Sequence, residues 1–347
     1  MQSPDDGSAT QAMTRAMGLV YVTDDAVGIG RRKAGTGFSY RNANGATLKD
    51  RSTLQRIRAL AIPPAWSEVW ICPDPNGHLQ ATGRDEKGRK QYLYHAGFRE
   101  VRDSVKFAHM LEFGRTLSTI RAHVAKDMAL AGLPRRKVLA TTVHLLETTL
   151  IRVGNDDYAR QNGSFGLTTL RRRHLQVEGT ELRFRFKGKS GKIWRVQLRD
   201  RRIARILKAC QDLPGQQLLQ YQDDSGAIHD VTSSDVNAYL KDITGAEITA
   251  KDFRTWAGTV LTTTALQDFG GFGTVAEAEK NIRTAIKAVA VHLGNTASIC
   301  RKCYVHPEVL QAYLDGSLLV AALCTESGLT PQEGMVLALM KKRRGKH

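Results

Sequence analysis

Leu182-Arg-Phe-Arg-Phe-Lys-Gly-Lys189-Ser-Gly-Lys-Ile-Trp-Arg-Val-Gln-Leu198 reads as a β-hairpin set among helical stretches. Leu182, Phe184 and Phe186 alternate with Arg183, Arg185 and Lys187, the period of a strand with one buried face. The returning strand puts Trp194, Val196 and Leu198 on one face. Gly188 and Gly191 bound the turn, and Lys189 stands between them. A glycine-bounded turn can carry a lysine deep into a groove, although most hairpin lysines stand in solvent. On both sides of the hairpin the apolar period is helical, so the predicted fold class is α+β.

Upstream, helices are predicted over Phe98–Phe113, Thr116–Ala131 and Arg136–Val153, with Gly132 and Gly154 as stops. Arg152 then falls at a helix end, where an arginine also satisfies the helix dipole. Asn155-Asp-Asp-Tyr158 follows, and Thr168-Thr-Leu-Arg171-Arg172-Arg173-His174 is a basic loop or short strand suited to phosphates. Downstream come a basic helix Arg201–Cys210 and a helix opened by Ser233-Ser-Asp-Val. Lys251-Asp-Phe-Arg254-Thr-Trp-Ala-Gly258 lies in a further helix, before a long one over Val275–His292. After Pro307 the pattern gives one or two helices and a basic end, Lys341-Lys-Arg-Arg344, read as solvated charge.

The N-terminal part reads as mainly β. Leu19–Thr23 and Gly37–Arg41 are strands, and Trp66–Cys72 with His78–Thr82 make a hairpin around Asp74-Pro-Asn-Gly77. Asp50 caps a helix over Ser52–Ala61 that Pro63-Pro64 stops. The glycine-rich, basic Gly28–Gly35 does not follow the P-loop spacing. Gly83-Arg84-Asp-Glu-Lys-Gly-Arg89-Lys90-Gln91-Tyr92-Leu-Tyr94 is a basic loop running into a strand, with both tyrosines on one face. Cations beside aromatic rings suit a groove that grips phosphates and packs on sugars or bases; a solvated hairpin would look the same. The predicted organisation is a disordered tail over 1–17, a small β-rich domain over 18–103 and a mainly helical domain over 104–347.

Net charge of +17 points to a polyanion, most often nucleic acid. The cations are spread over strands, loops and helices, which disfavours a membrane surface. Five cysteines form no disulfide framework, and Cys300-x-x-Cys303, even with His292 and His306 nearby, does not match a familiar zinc module. Met1–Met17 carries Asp5 and Asp6 without an apolar core, so no signal peptide is predicted and a cytoplasmic location is expected.

The chemistry centres on Gly294-Asn295-Thr-Ala-Ser-Ile-Cys-Arg-Lys-Cys-Tyr304. A lone tyrosine is usually an amphipathic surface residue. A tyrosine titrating near ~10 becomes a useful nucleophile only with cations around its target and an acid for the leaving group. Taken in order, Arg152 before Gly154, Lys189 in a hairpin, Arg254 in Lys-Asp-x-Arg-Thr and Gly-x-Thr-x-Ser-Ile before Tyr304 resemble the small type IB DNA topoisomerases of poxviruses and bacteria. They resemble the tyrosine recombinases more distantly. The resemblance runs from about Leu19 to Tyr304 and includes the Gly83–Tyr94 segment, which looks like the family's DNA-gripping segment.

That resemblance implies a C-shaped clamp closing on duplex DNA, acting as a monomer without metal, ATP or other cofactor. It implies that Arg152 and Arg254 hold the scissile phosphate, that Lys189 protonates the leaving 5′-oxygen, and that Tyr304 forms a 3′-phosphotyrosyl ester. Lys187 and Lys192 flank Lys189; the glycine-bounded position and the family motif favour Lys189. Where the family often carries histidine, nine residues before the tyrosine, this chain has Asn295, which can donate a hydrogen bond but cannot carry charge. Arg84, Arg89, Lys90, Gln91, Tyr92, Tyr94, Tyr158, Arg171, Arg172 and Arg173 are the expected DNA contacts. The competing readings are a tyrosine recombinase and a non-enzymatic DNA-packaging protein.

Overall fold

The computed structural model describes residues 7–318 and 327–344. The chain divides into two compact units, Met1–Phe107 and Ala108–His347. The division falls inside a helix, α3 below.

In the first unit, α1 (Gly7–Ala16) occupies the stretch whose composition reads as a disordered tail. Thr14 of this helix is fully buried and donates its hydroxyl to Thr10 O at 2.6 Å, so local packing holds it. β1 (Ile29–Ala34), β2 (Gly37–Arg41), β3 (Ser67–Ile71), β4 (Leu79–Arg84) and β5 (Lys90–Tyr94) form one antiparallel sheet in the order β2-β1-β3-β4-β5. The basic Gly28–Gly35 segment supplies β1, paired to β2 from Gly30↔Arg41 to Ala34↔Gly37. The expected Leu19–Thr23 strand reduces to a single bridge, Val20 to Gly77.

α2 (Arg51–Ala59) starts where Asp50 accepts from Thr53 N at 2.7 Å, as the capping pattern predicts. It buries Ile57 against Ile29, Val69, Ile71 and Ala81 of the sheet. Each of the isoleucine and valine side chains, fully buried, contributes about 1.5–3 kcal/mol.

The predicted pair of helices over Phe98–Phe113 and Thr116–Ala131 is one helix, α3 (Ala96–Asp127). Its interior Gly114 is retained by packing: a Cβ there would come 2.6 Å from Cη2 of Trp256. In the second unit α4 (Arg135–Thr149) ends earlier than the expected Val153, because Leu150 turns the chain into the left-handed region at φ 54°. A non-glycine residue there costs roughly 1–2 kcal/mol. Leu150 is buried in the main core, and that packing holds the turn.

α5 (Asp156–Asn162) follows, and the basic patch over 168–174 folds as two short 3-10 turns rather than a strand. β6 (Leu175–Glu178), β7 (Glu181–Lys187) and β8 (Ile193–Arg199) form a three-stranded sheet. Leu182, Phe184 and Phe186 are buried while Arg183, Arg185 and Lys187 are exposed, as alternation requires. α6 (Arg201–Asp212), the small β9 (Gln220–Gln222) and β10 (Ile228–Asp230) ladder, and α7 (Ser233–Thr244) lead to the core helices. These are α8 (Ala250–Phe269), α9 (Val275–His292), α10 (Ala297–Tyr304) and α11 (Pro307–Leu314), joined by α12 (Pro331–Arg344). The basic end Lys341–Arg344, read as a solvated tail, continues α12 as its last turn. Leu266, Ile282, Ile286, Val289, Val305, Val309 and Tyr313 make the core against which Tyr304 packs. Among the described residues no helix is long and apolar enough to cross a membrane.

Candidate active site

Arg254 is the buried centre of the site. It sits in the first half of α8 with 3% of its surface exposed. One terminal nitrogen, Nη1, donates to Leu150 O, and Nη2 donates to Leu293 O at 2.6 Å. Both carbonyls stand at helix ends, left free by the α4 and α9 ladders. The guanidinium therefore ties together the segments that carry Arg152 and Asn295. A guanidinium has five N–H donors, so three remain after these two bonds.

Arg152 lies two residues beyond the left-handed Leu150, off the helix end where the sequence places it. Its backbone is held by Leu167 N donating to Arg152 O at 2.8 Å and Thr168 N donating to Val153 O at 2.7 Å. Gly154 and Gly166 permit that approach: a Cβ on Gly166 would come 2.6 Å from Arg152 O. Arg152 Nη2 donates to Asn295 Oδ1 at 2.5 Å. Asn295 follows Gly294, whose φ of +63° ends α9, and its backbone N donates to Ala290 O at 2.8 Å.

With its oxygen turned to Arg152, Asn295 presents its amide nitrogen on the other side. Asn295 Nδ2 and Arg254 Nε are both buried without a hydrogen-bond partner. An unmade bond at a buried donor costs about 1–3 kcal/mol, so each of these two groups favours an added acceptor.

Tyr304 is the last residue of α10, and the Arg254 guanidinium carbon lies 5.2 Å from its ring centroid. Burial opposes ionisation of the phenol. The charge of Arg254, then that of Arg152, and the phenol's contact with the Arg254 guanidinium outweigh it, so its pKa lies below the ordinary tyrosine value. Burial, then the charge of Arg152, presses the pKa of Arg254 down to about 10, which leaves it protonated at neutral pH.

Two residues that the sequence reading did not single out place Tyr304. A Cβ on Gly258 would come 2.5 Å from Tyr304 O and 2.9 Å from Tyr304 Cβ, so only glycine lets α8 touch the end of α10. Thr259 Oγ1 accepts from His306 N at 3.0 Å and lies 3.2 Å from Tyr304 O. The available signal was a glycine one turn after Arg254 in a helix interior, where it costs about 0.8–1 kcal/mol relative to alanine.

Lys189 opens a 3-10 turn over Lys189–Gly191 at the tip of the β7–β8 hairpin and is exposed. Lys187 ends β7 and Lys192 precedes β8, both exposed. Residue 300, Cys300, is buried in α10 and its thiol is pushed up to about 11, chiefly by burial.

Two family models match the chain. Residues 95–319 match the eukaryotic DNA topoisomerase I catalytic core, and residues 37–85 match the bacterial DNA topoisomerase IB N-terminal domain. The chain belongs to the type IB DNA topoisomerases. DNA topoisomerase 1B of Acanthamoeba polyphaga mimivirus is 32% identical over 296 residues, 82% of this chain and 87% of the relative. DNA topoisomerase 1B of vaccinia virus (strain Copenhagen) is 23% identical over 83% of this chain and 90% of its own. DNA topoisomerase 1 of rabbit fibroma virus is 26% identical over 69% and 73%.

Within this type IB topoisomerase, the remaining expected DNA contacts fall into two sets. In the first unit Arg84 pairs with Glu68 at 2.7 Å, Arg89 with Asp85 at 2.5 Å and Lys90 with Asp24 at 2.5 Å, while Gln91 Nε2 donates to Asp85 at 3.0 Å. Tyr92 and Tyr94 stack with centroids 6.2 Å apart. In the second unit Tyr158 lies in the first turn of α5, and Arg171 covers the Phe165 ring at 5.6 Å. Arg172 buries Nε and Nη2 without partners, and Arg173 is exposed.

Asn295→Ala removes both the acceptor that aims Arg152 and the unpaired donor. A tenfold slowing of strand cleavage, about the value of one neutral hydrogen bond, is the expected result. A variant that relaxes plasmid as fast as wild type would show that neither function matters.

Proposed function

We propose that this enzyme relaxes supercoiled duplex DNA by cutting and resealing one strand through Tyr304. The observation that carries the proposal is a tyrosine whose pKa Arg254 and Arg152 lower, in a site where Asn295 Nδ2 and Arg254 Nε are buried donors without partners. Arg152 and Arg254 bind the nonbridging oxygens of the scissile phosphate, where planar guanidinium forks match the geometry. Tyr304 Oη attacks phosphorus and its proton passes to solvent. The P–O5′ bond breaks, and Lys189 protonates the departing oxygen. The product is a 3′-phosphotyrosyl ester. Because this ester keeps the energy of the broken phosphodiester, the reverse attack by the 5′-hydroxyl needs no ATP.

On this reading the two units act together as a C-shaped clamp on the duplex, in a monomer found with DNA in the cytoplasm. The cations of residues 84–94 and 171–173 then hold the flanking phosphates. The protein's own cations stabilise the pentacoordinate phosphate, and the reaction is proposed to run without metal.

Plasmid relaxation in EDTA without ATP tests the reading, with denaturant added mid-reaction to trap protein on the 3′ end of nicked DNA. Relaxation with a trapped adduct is expected. Strand exchange between two duplexes would favour a recombinase, and salt-sensitive binding with neither product would favour a packaging protein.

The carboxylates paired with the N-terminal cations lead to a separate expectation. Asp24→Asn keeps an acceptor for Thr82 Oγ1, now at 3.0 Å, but releases Lys90. DNA affinity at low salt should rise about two- to fivefold, the worth of one partly exposed ion pair. Filter binding over a salt series checks this, and unchanged affinity would remove Lys90 from the DNA contacts.

A further inference from the structure

The indole of Trp194 joins two turns that the proposed reaction must hold together. Trp194 is the second residue of β8, paired across the hairpin with Phe186, and the two rings stack 11° from parallel with centroids 6.2 Å apart. That stack sets the plane of the indole. A Cβ added to Gly188 would come 2.6 Å from Trp194 Cδ1 and 2.8 Å from Nε1. A Cβ added to Gly294 would come 2.6 Å from Cζ2 and 3.1 Å from Cε2 of the same ring. The five-membered edge therefore rests on Gly188 and the six-membered edge on Gly294. The residue after Gly188 is Lys189, and the residue after Gly294 is Asn295. At both glycines a rigid aromatic plate fills the space a side chain would need, and at Gly294 the left-handed φ of +63° favours glycine as well.

The rest of the hairpin tip is braced within itself. Gly188 N donates to Lys192 O at 2.8 Å and Gly191 N to Gly188 O at 3.1 Å, with Ser190 at φ 63°. The end of β7 is tied by Phe165 N donating to Lys187 O at 2.8 Å. These bonds shape the turn, and the indole sets its distance from the turn carrying Asn295.

We propose that Trp194 is a positioning residue for leaving-group protonation: it fixes Lys189 relative to the phosphate held by Arg152, Arg254 and Asn295. This rests on Lys189 being the general acid of the proposed reaction. A proton transfer needs heavy atoms within about 2.6–3.2 Å, so displacement of the hairpin by an ångström or more loses it. Trp194 touches no reacting atom in this account and acts through Lys189.

The test separates acid positioning from general damage to the fold. Single-turnover cleavage is measured on a duplex with the normal 5′-oxygen at the scissile phosphate and on one with 5′-sulfur in its place. A thiol titrates near ~8.5, so a thiolate departs without protonation, whereas an alkoxide needs the proton. Lys189→Ala should lose ~10²–10⁴ in rate on the oxygen substrate and recover on sulfur. Trp194→Ala should lose at least about tenfold on oxygen and return to within about threefold of wild type on sulfur, with Arg254→Ala slow on both. Trp194→Phe keeps a ring against Phe186 and Gly188 but is too short to reach Gly294. It should show the same substrate dependence with a smaller loss.

Recovery on sulfur also demonstrates that the variant is folded. A folded Trp194→Phe that is slow on both substrates, or normal on both, overturns the proposal. If Lys189→Ala fails to recover on sulfur, the general-acid assignment falls, and the role of Trp194 falls with it. If Lys189→Ala recovers while the Trp194 variants do not, only the present inference is lost.

Discussion

Tyr304→Phe is expected to bind supercoiled plasmid with wild-type affinity and to leave it supercoiled. The substitution removes one oxygen from a ring that packs against the α8–α11 core, so packing and fold are kept. The Arg254 cation remains beside an aromatic face. What disappears is the atom proposed to bond to phosphorus. The expected loss of relaxation is complete, with no protein trapped on the 3′ end after denaturation. Residual relaxation by the purified variant, with an adduct mapped to another residue, would move the nucleophile. Cys303 and Cys300 share its helix. Either could be recognised by mass of the linked peptide.

Arg254→Ala is expected to slow strand cleavage by ~10²–10³, the usual effect of deleting one preorganised donor to a developing anion. Three effects act together. The phosphate loses a guanidinium contact, Leu150 O and Leu293 O lose their donor, and Tyr304 loses the nearest positive charge. The last has a sign that can be read. Removing a cation raises the phenol pKa, so the rise of cleavage rate with pH should move to higher pH in the variant. Arg254→Lys restores one charge but not the planar fork, and a single ammonium cannot reach both carbonyls and the phosphate. It should remain at least about tenfold below wild type. Rates from single-turnover cleavage across a pH series decide this, and a lysine variant at wild-type rate would reduce Arg254 to a point charge.

The way these residues meet explains how far the sequence could be read. Elements with a strong local signal were legible. The β7–β8 hairpin follows from strict alternation, the long helix Val275–His292 matches its predicted ends, and Asp50 caps α2 as its side chain requires. The order Arg152, Lys189, Arg254, Asn295, Tyr304 was also visible, because family motifs are carried in short contiguous stretches. Failures came where a distant contact overrides local preference. The helices expected over Phe98–Phe113 and Thr116–Ala131 are one, with Gly114 inside it where Trp256 packs in the space a side chain would take. The helix before Arg152 was read too long, since only core burial of Leu150 holds a leucine in the left-handed region.

Charge, composition and motif order, properties of the chain alone, determined the class of partner, the α+β character and the candidate reacting residues. Tertiary structure decided how those residues are aimed. Arg254 is turned by two carbonyls, one from each of two other segments, and Asn295 is turned by Arg152. Gly258 and Gly294 matter for the side chains and backbone they admit, Tyr304 in one case and Trp194 in the other. A spacing along the chain records which groups are present. Their burial, their unpaired donors and their mutual fields arise only when segments more than a hundred residues apart pack together, because desolvation and Coulomb energy depend on distance in space.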